Sequence, residues 1–317
     1  MPHAAALAQA TESALILLQV LEPVYEPIYG ALGISEKQQE QPLARMRDAQ
    51  LASIHDYLVN IARPLQLQGL EVHTKVIEGN DPAAHIVLHA QQDPHLLLIA
   101  MATHGRSSVL RWLFGSVTAE VVQAIPTALL LLRPQENDKP FSAVNPDAVV
   151  YHTVIVPLDG SSFAEQALEQ AHLLASVMSA SLLLVSIVPP PNDIAVQRDK
   201  ETVSLMRALL QTETERRTRY LEQRAEPLRK QGLVVHTQVA TGHPAEEILR
   251  LSRQHQPALL VMTTHGRSEL QRLFLGSVAM KIVQGTHAPV LLVRARPEEK
   301  KRTMKPISVL KRMASLS

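Results

Sequence analysis

The sequence predicts an α/β fold of two doubly wound domains, each a parallel sheet with helices on both faces. Three observations predict it. Short apolar runs alternate with longer amphipathic stretches, as strand–helix–strand units require. One set of motifs occurs twice at a nearly constant offset. The 317 residues, 46% of them hydrophobic, suffice for two domains of ordinary size with separate cores.

The duplication reads directly. Thr103-His104-Gly105-Arg106-Ser107 recurs as Thr264-His265-Gly266-Arg267-Ser268, and Gly115-Ser116-Val117 as Gly276-Ser277-Val278, both at a shift of 161 residues. Nine residues separate the glycines in each copy. Thr127 to Arg133 (TALLLLR) parallels Ala288 to Arg294 (APVLLVR) at the same shift, each a short apolar run with the look of a last, buried strand. Ser13 to Leu21 parallels Ala180 to Val188 at a shift of 167, so a variable loop absorbs the difference.

In the second half the pattern predicts a strand at 153–157, a helix at 163–178, a strand at 182–188 and a long helix at 200–230. A strand at 233–239, a helix at 244–254, a strand at 258–262, a helix at 277–284 and a strand at 289–294 follow. Pro244 suits a first helical turn, and Gly232 after Arg229, Lys230 and Gln231 suits a stop. Pro227 is expected to kink or shorten the long helix before that stop.

These elements divide the chain into a first repeat at 1–133, a linker at 134–150 rich in Pro, Asn and Asp, a second repeat at 151–295, and a basic tail at 296–317. A shift of 167 places Met1 opposite Leu168, so Tyr151 to Ala167 have no counterpart in the first repeat. The first domain is expected to lack its first strand, normally an interior one, and its neighbours to carry unpaired edges. Residues upstream of Met1 or a second chain are the two sources open for that strand, the former favoured.

Composition narrows the function. Thirty-one basic against 30 acidic residues give a balance that does not suit a surface for coating nucleic acid. Without cysteine there is no disulfide framework, thiolate metal site or cysteine nucleophile. No export signal is read at the N-terminus, where Lys37 is the first basic residue, and no apolar run approaches the roughly 20 residues that span a bilayer. The expected location is the cytoplasm. His85 and His89, four apart on an expected helix, lack the glutamate and third ligand of a zinc motif, and no Gly-x-x-x-x-Gly-Lys-Ser occurs.

What chemistry there is gathers at strand ends. A glycine-rich turn between a strand and a helix offers backbone N–H groups and a positive dipole end to an anion. Gly266, Gly276 and Ser277 form that pattern, and Arg267 adds a charged donor. Asp159 follows the first strand of its half, where α/β sheets place ligand-binding groups, although Asp-Gly-Ser-Ser is equally good turn and cap sequence. His104 and His265 are read as shaping their loops, with no catalytic role.

The Val-Pro-Leu-Asp-Gly-Ser strand end, paired with Gly, nine residues and Gly-Ser, resembles the ATP-binding class of the universal stress protein family across nearly all of both halves. That motif has a further glycine three places earlier; Ala102 and Thr263 stand there instead. The resemblance implies flavodoxin-like, adenine-nucleotide alpha-hydrolase-like domains and ATP as ligand, with magnesium as a candidate companion. It assigns the nucleoside side to Pro157, Asp159 and Ile187, and the phosphate side to Thr263, Gly266, Arg267, Gly276, Ser277 and Val278. It also implies that the two repeats pair within the chain, with a homodimer as a further arrangement. The reading is an ATP-binding regulatory protein with slow or no turnover. The alternatives are a nucleotide-free interaction module of the family and, third, an adenylating enzyme.

Overall fold

The computed structural model describes residues 1–22, 36–103, 115–133, 149–190, 200–264 and 275–295. The first half runs α1 (Pro2–Ala10), β1 (Leu15–Leu21), α2 (Glu36–Leu67), β2 (Val72–Glu78), α3 (Pro82–Gln92), β3 (Leu98–Ala102), α4 (Ser116–Ala124) and β4 (Ala128–Leu132). The second runs β5 (Thr153–Pro157), α5 (Ser162–Glu165), α6 (Ala167–Val177), β6 (Ser181–Val188), α7 (Lys200–Lys230), β7 (Val235–Thr241), α8 (Pro244–Gln254), β8 (Ala258–Thr263), α9 (Ser277–Gly285) and β9 (Val290–Val293).

Seven strands form one sheet in the order β3-β4-β9-β8-β5-β6-β7, and β1 and β2 form a second, two-stranded parallel sheet. Every pairing is parallel except that of β4 with β9, where Leu129 faces Leu292 and Leu130 faces Leu291. This seam joins the halves about a pseudo-twofold axis. Arg133 donates from Nη1 to the Gln284 carbonyl at 3.0 Å, and Arg294, its equivalent, donates to the carbonyls of Gln123 at 2.8 Å and Ile125 at 3.0 Å. Each arginine thus serves carbonyls at the end of the other half's last helix, where intrahelical partners run out.

The alternation of side chains along the strands sorts the core into two layers. Ile155, Leu183, Val185, Leu260 and Met262 pack under α8 and α9, in a layer that continues through Leu129 and Leu131 to α3 and α4. Val154, Val156, Leu182, Leu184, Leu259 and Val261 pack under α6 and α7, with Leu7 of α1 joining them beside Leu130. Because helices cover both faces, β5, β6 and β8 are apolar and buried nearly throughout. A third cluster, Leu17 and Val72 with Leu58, Ile61, Ala62 and Leu65 of α2 and Ala5 and Ala8 of α1, holds the small sheet.

The parallel strands expected of both halves are present, and the last strands of the two halves meet. No described strand lies between β1 and β3, so the first half's strands divide, one pair alone and the other continuing the second half's sheet. The long helix α7 also runs past Pro227 to Lys230. It stops in a Schellman arrangement, with the Gly232 N–H on the Arg229 carbonyl, the Leu233 N–H on the Leu228 carbonyl, and Gly232 at φ +91°. That closure absorbs Leu233 and Val234, so β7 starts at Val235, two residues later than the pattern suggests. The predicted helix at 163–178 is divided at Gln166 into α5 and α6.

Candidate functional site

From β5 the chain winds through β6 to β7 on one side, then crosses to β8 and β9 on the other. The carboxyl ends of β5 and β8, neighbours in the sheet, therefore mark a topological switch point, where the connections diverge and leave a crevice. Pro157 ends β5 and Thr263 ends β8, while Ile187, buried, lies near the end of the adjacent β6. The structure thus brings Pro157, Asp159, Ile187, Thr263 and the start of α9 to one edge of the sheet. Gly266 and Arg267 lie outside the described residues, as do His104 and His265.

Asp159 shapes its own loop. One carboxylate oxygen accepts from the Ser161 N–H at 2.9 Å and the Ser161 hydroxyl at 2.6 Å, and Ser161 Oγ in turn accepts from the Ala164 N–H at 3.2 Å as the N-cap of α5. Gly160 between them takes φ +85°, a conformation that L side chains rarely adopt. The turn reading of Asp-Gly-Ser-Ser therefore holds in the structure.

A buried guanidinium fixes the same loop from below. Arg217 of α7, 6% exposed, donates from Nη1 to the Asp159 carbonyl at 2.8 Å and to Ser186 Oγ at 3.1 Å, and from Nε to Glu213 at 2.8 Å. Ser186, also buried, passes its own proton to the Leu158 carbonyl at 2.7 Å. One side chain and its relay thus hold two consecutive carbonyls of the loop. Hydrogen bonds from Arg216 and then Arg217 draw the Glu213 carboxyl down to about 2, which keeps it ionised beside the guanidinium. Further along α7, Tyr220 Oη at 3.0 Å and Arg224 Nε at 2.9 Å both donate to Glu165 of α5, and burial raises the Tyr220 hydroxyl pKa. Sequence reasoning missed Arg217, which stands 58 residues from Asp159 on a helix rich in solvated charge.

Opposite this loop, Gly276 caps α9 at φ −57°, ψ 150°, and its N–H donates to the Thr264 carbonyl at 2.9 Å. Among the described residues no side chain caps the helix, whose first turn starts at the carboxyl edge of the sheet with Ser277 as its first residue and Val278 packed on the core. Any residue adopts that φ, so backbone conformation does not select glycine at 276; close approach of another group would.

The first half repeats only part of this. Gly115 caps α4 at φ −59°, and its N–H donates to the Thr103 carbonyl at 3.0 Å. No described strand stands where β5 would; Gln19 replaces Ser186 at the shift of 167, and Ile54 replaces Arg217 at the shift of 163 that aligns Gln68-Gly69-Leu70 with Gln231-Gly232-Leu233. The histidines at 85 and 89 do not come together as ligands: the His85 ring lies over Gly79, and His89 Nδ1 lies 3.2 Å from Lys75 Nζ. Among the described residues no group of three or more His, Asp or Glu side chains is placed to hold a metal, and no helix is long and apolar enough to cross a membrane.

Comparison with known proteins gives the lineage. The model of the universal stress protein family matches residues 2–133 and 150–294. A universal stress protein of Methanocaldococcus jannaschii is 28% identical over 150 residues, covering 47% of this chain and 86% of the relative. One of Mycobacterium bovis is 28% identical over 302 residues, covering 90% of this chain and 88% of the relative. The crystal structure of a universal stress protein from Archaeoglobus fulgidus superposes over 93% of this chain and 90% of its own at a TM-score of 0.53 and 16% identity, which shows the shared fold.

Proposed function

The chain belongs to the universal stress protein family, as a tandem of two repeats, and from that premise we propose that it binds ATP at the switch point of its second half as a regulatory ligand, with little or no turnover. The observation that carries this reading is convergence. The Arg217-fixed Asp159 loop, Ile187 and the start of α9 at Gly276 and Ser277 all lie at the carboxyl edge of β5, β6 and β8. Such an edge suits a ligand with a planar apolar part, a polar middle and an anionic end. The adenine would lie toward Pro157 and Ile187, the ribose toward Asp159, and the phosphates on the first turn of α9 beside Thr263, with Gly266 and Arg267 completing the cradle.

Phosphate contacts alone give weak, salt-sensitive binding to any polyanion, and selectivity comes from buried polar contacts to the nucleoside. Asp159→Ala is expected to weaken ATP by about 1–3 kcal/mol, the worth of one hydrogen bond to a charged group, with little loss of inorganic triphosphate binding. Titration calorimetry with both ligands tests it. Equal losses for ATP and triphosphate, or none for either, would place the nucleoside elsewhere. Magnesium is the companion ion of this reading, since polyphosphates carry it and the protein need supply no dedicated cage. The Asp159 carboxylate is taken up by its own turn, and fast phosphoryl transfer is not part of the proposal.

A further inference from the structure

The chain contains a single Asp-Gly pair, Asp159-Gly160, and no asparagine precedes a glycine. A glycine after an aspartate leaves its peptide nitrogen open to the carboxyl carbon beside it, because no Cβ stands in the way. Most peptide nitrogens are poor nucleophiles all the same. Resonance commits the lone pair to the carbonyl, and a hydrogen bond usually occupies the N–H.

At this turn each of those restraints is eased. Gly160 is exposed and takes φ +85°. Its N–H donates no hydrogen bond among the described residues, whereas the N–H groups of Leu158 and Ser161 do, to the Val185 carbonyl at 2.7 Å and to Asp159 Oδ1 at 2.9 Å. The Asp159 carbonyl belongs to the same peptide group as the Gly160 nitrogen, and Arg217 donates to it from Nη1 at 2.8 Å. A guanidinium there draws charge from the amide and makes its N–H more acidic. On the other side, the Ser161 N–H and hydroxyl both donate to Oδ1, which turns the carboxyl back toward its own main chain and leaves its carbon more electrophilic. The reacting groups are neighbours, so closure needs no encounter.

We propose that Asp159 and Gly160 form a self-modifying site, which in the folded protein converts slowly through a cyclic imide to isoaspartate. From the neutral carboxyl, the Gly160 nitrogen bonds to Asp159 Cγ, and the amide proton and the carboxyl OH leave together as water. Water then opens the ring. Cleavage between the nitrogen and Cγ restores aspartate. Cleavage between the nitrogen and the main-chain carbonyl carbon leaves the chain running through Cγ, with unchanged mass and a free α-carboxylate. Nothing is oxidised or reduced, and water is the only co-reactant. That α-carboxylate arises at the oxygen Arg217 already holds, so an ion pair replaces a neutral contact and favours the isoaspartyl product. The loop gains one backbone carbon and loses its Asx turn. On the nucleotide reading above, ATP affinity falls as the conversion proceeds.

The test incubates the full chain for weeks, well below its Tm, and locates isoaspartate by mass spectrometry with electron-based fragmentation, which separates it from aspartate of equal mass. A synthetic peptide copying Tyr151 to Ala167 supplies the same sequence without Arg217. Conversion at 159 is expected to be faster in the folded chain than in the peptide, and Arg217→Met to slow it about tenfold. Asp159→Glu should not convert, since the larger imide ring closes far more slowly. No isoaspartate at 159, slower conversion in the folded chain than in the peptide, or a rate unchanged or raised by Arg217→Met would overturn the proposal. Conversion with these dependences supports it whatever happens to ATP. If ATP affinity then stays constant as isoaspartate accumulates, the placement of the nucleoside fails and the modification stands.

Discussion

Arg217→Met removes the clamp on the Asp159 loop while keeping most of the apolar stem. The variant loses the two bonds from Nη1 and the contact with Glu213. Ser186 still donates to Leu158, so the Asp159 carbonyl is the group left without its guanidinium. An orphaned polar group costs about 1–3 kcal/mol, and relief from burying the charge returns part of that, so a net loss of about 2 kcal/mol is expected. For a unit of this size that is roughly 4–8 °C in Tm. If the loop positions the nucleoside, ATP affinity should fall about tenfold, which corresponds to ~1.4 kcal/mol. Scanning calorimetry and ATP titration measure the two effects. Leu221→Ala, one turn on and fully buried, separates them, since it should cost about 2–5 kcal/mol of stability and leave ATP affinity intact below its melting temperature. An Arg217→Met protein with unchanged Tm and unchanged affinity would refute the clamp. One that loses only stability would reduce Arg217 to a packing residue.

Two further perturbations address the frame and the acid response. Leu291→Lys puts a charge opposite Leu130 in the seam, where both leucines are at most 1% exposed. It should lower stability by several kcal/mol and enlarge the hydrodynamic radius as the halves part; unchanged size and Tm would contradict the seam. Glu213 titrates at about 2 in the fold against an ordinary 4.5, so its stabilisation is complete above about pH 4.5 and is lost as pH falls through about 2. The Tm gap between wild type and Glu213→Gln should close over that window. A gap independent of pH would show that the carboxylate's charge contributes nothing.

What could be read from the sequence was what repeats locally. Gly276 and Ser277 announced a helix start, Gly232 a helix stop, and the apolar runs at 182–188 and 258–262 their own burial, because each signal depends on residues adjacent in the chain. Even the stop had a hidden part: α6 ends in the same closure as α7, but on Ser179 at φ +53°, where no glycine marks it. Distant partnerships were not visible. Arg217 looks like its solvated neighbours Arg216 and Arg219, and only the fold turns it toward Ser186. The stacking of His3 on Tyr151, 5.8 Å between centroids, ties α1 to the second half across 148 positions and has no sequence signature. No described strand stands between β1 and β3, and which of the first half's strands stay with the second half depended on the β4–β9 seam.

The claim that the second half alone holds the nucleotide is tested most directly by counting bound ATP. Titration calorimetry on the wild type should give one site per chain, since both halves keep a glycine-led helix but Asp159, Ser186 and Arg217 are gathered in the second. Gly276→Val should abolish binding by bulk at the helix start, without backbone strain at φ −57°. Gly115→Val should leave it intact, and among the described residues the nearest atom to a Cβ there is the Thr103 carbonyl oxygen, 3.9 Å away. Two equivalent sites, or a loss of binding in Gly115→Val that Gly276→Val does not share, would contradict the account.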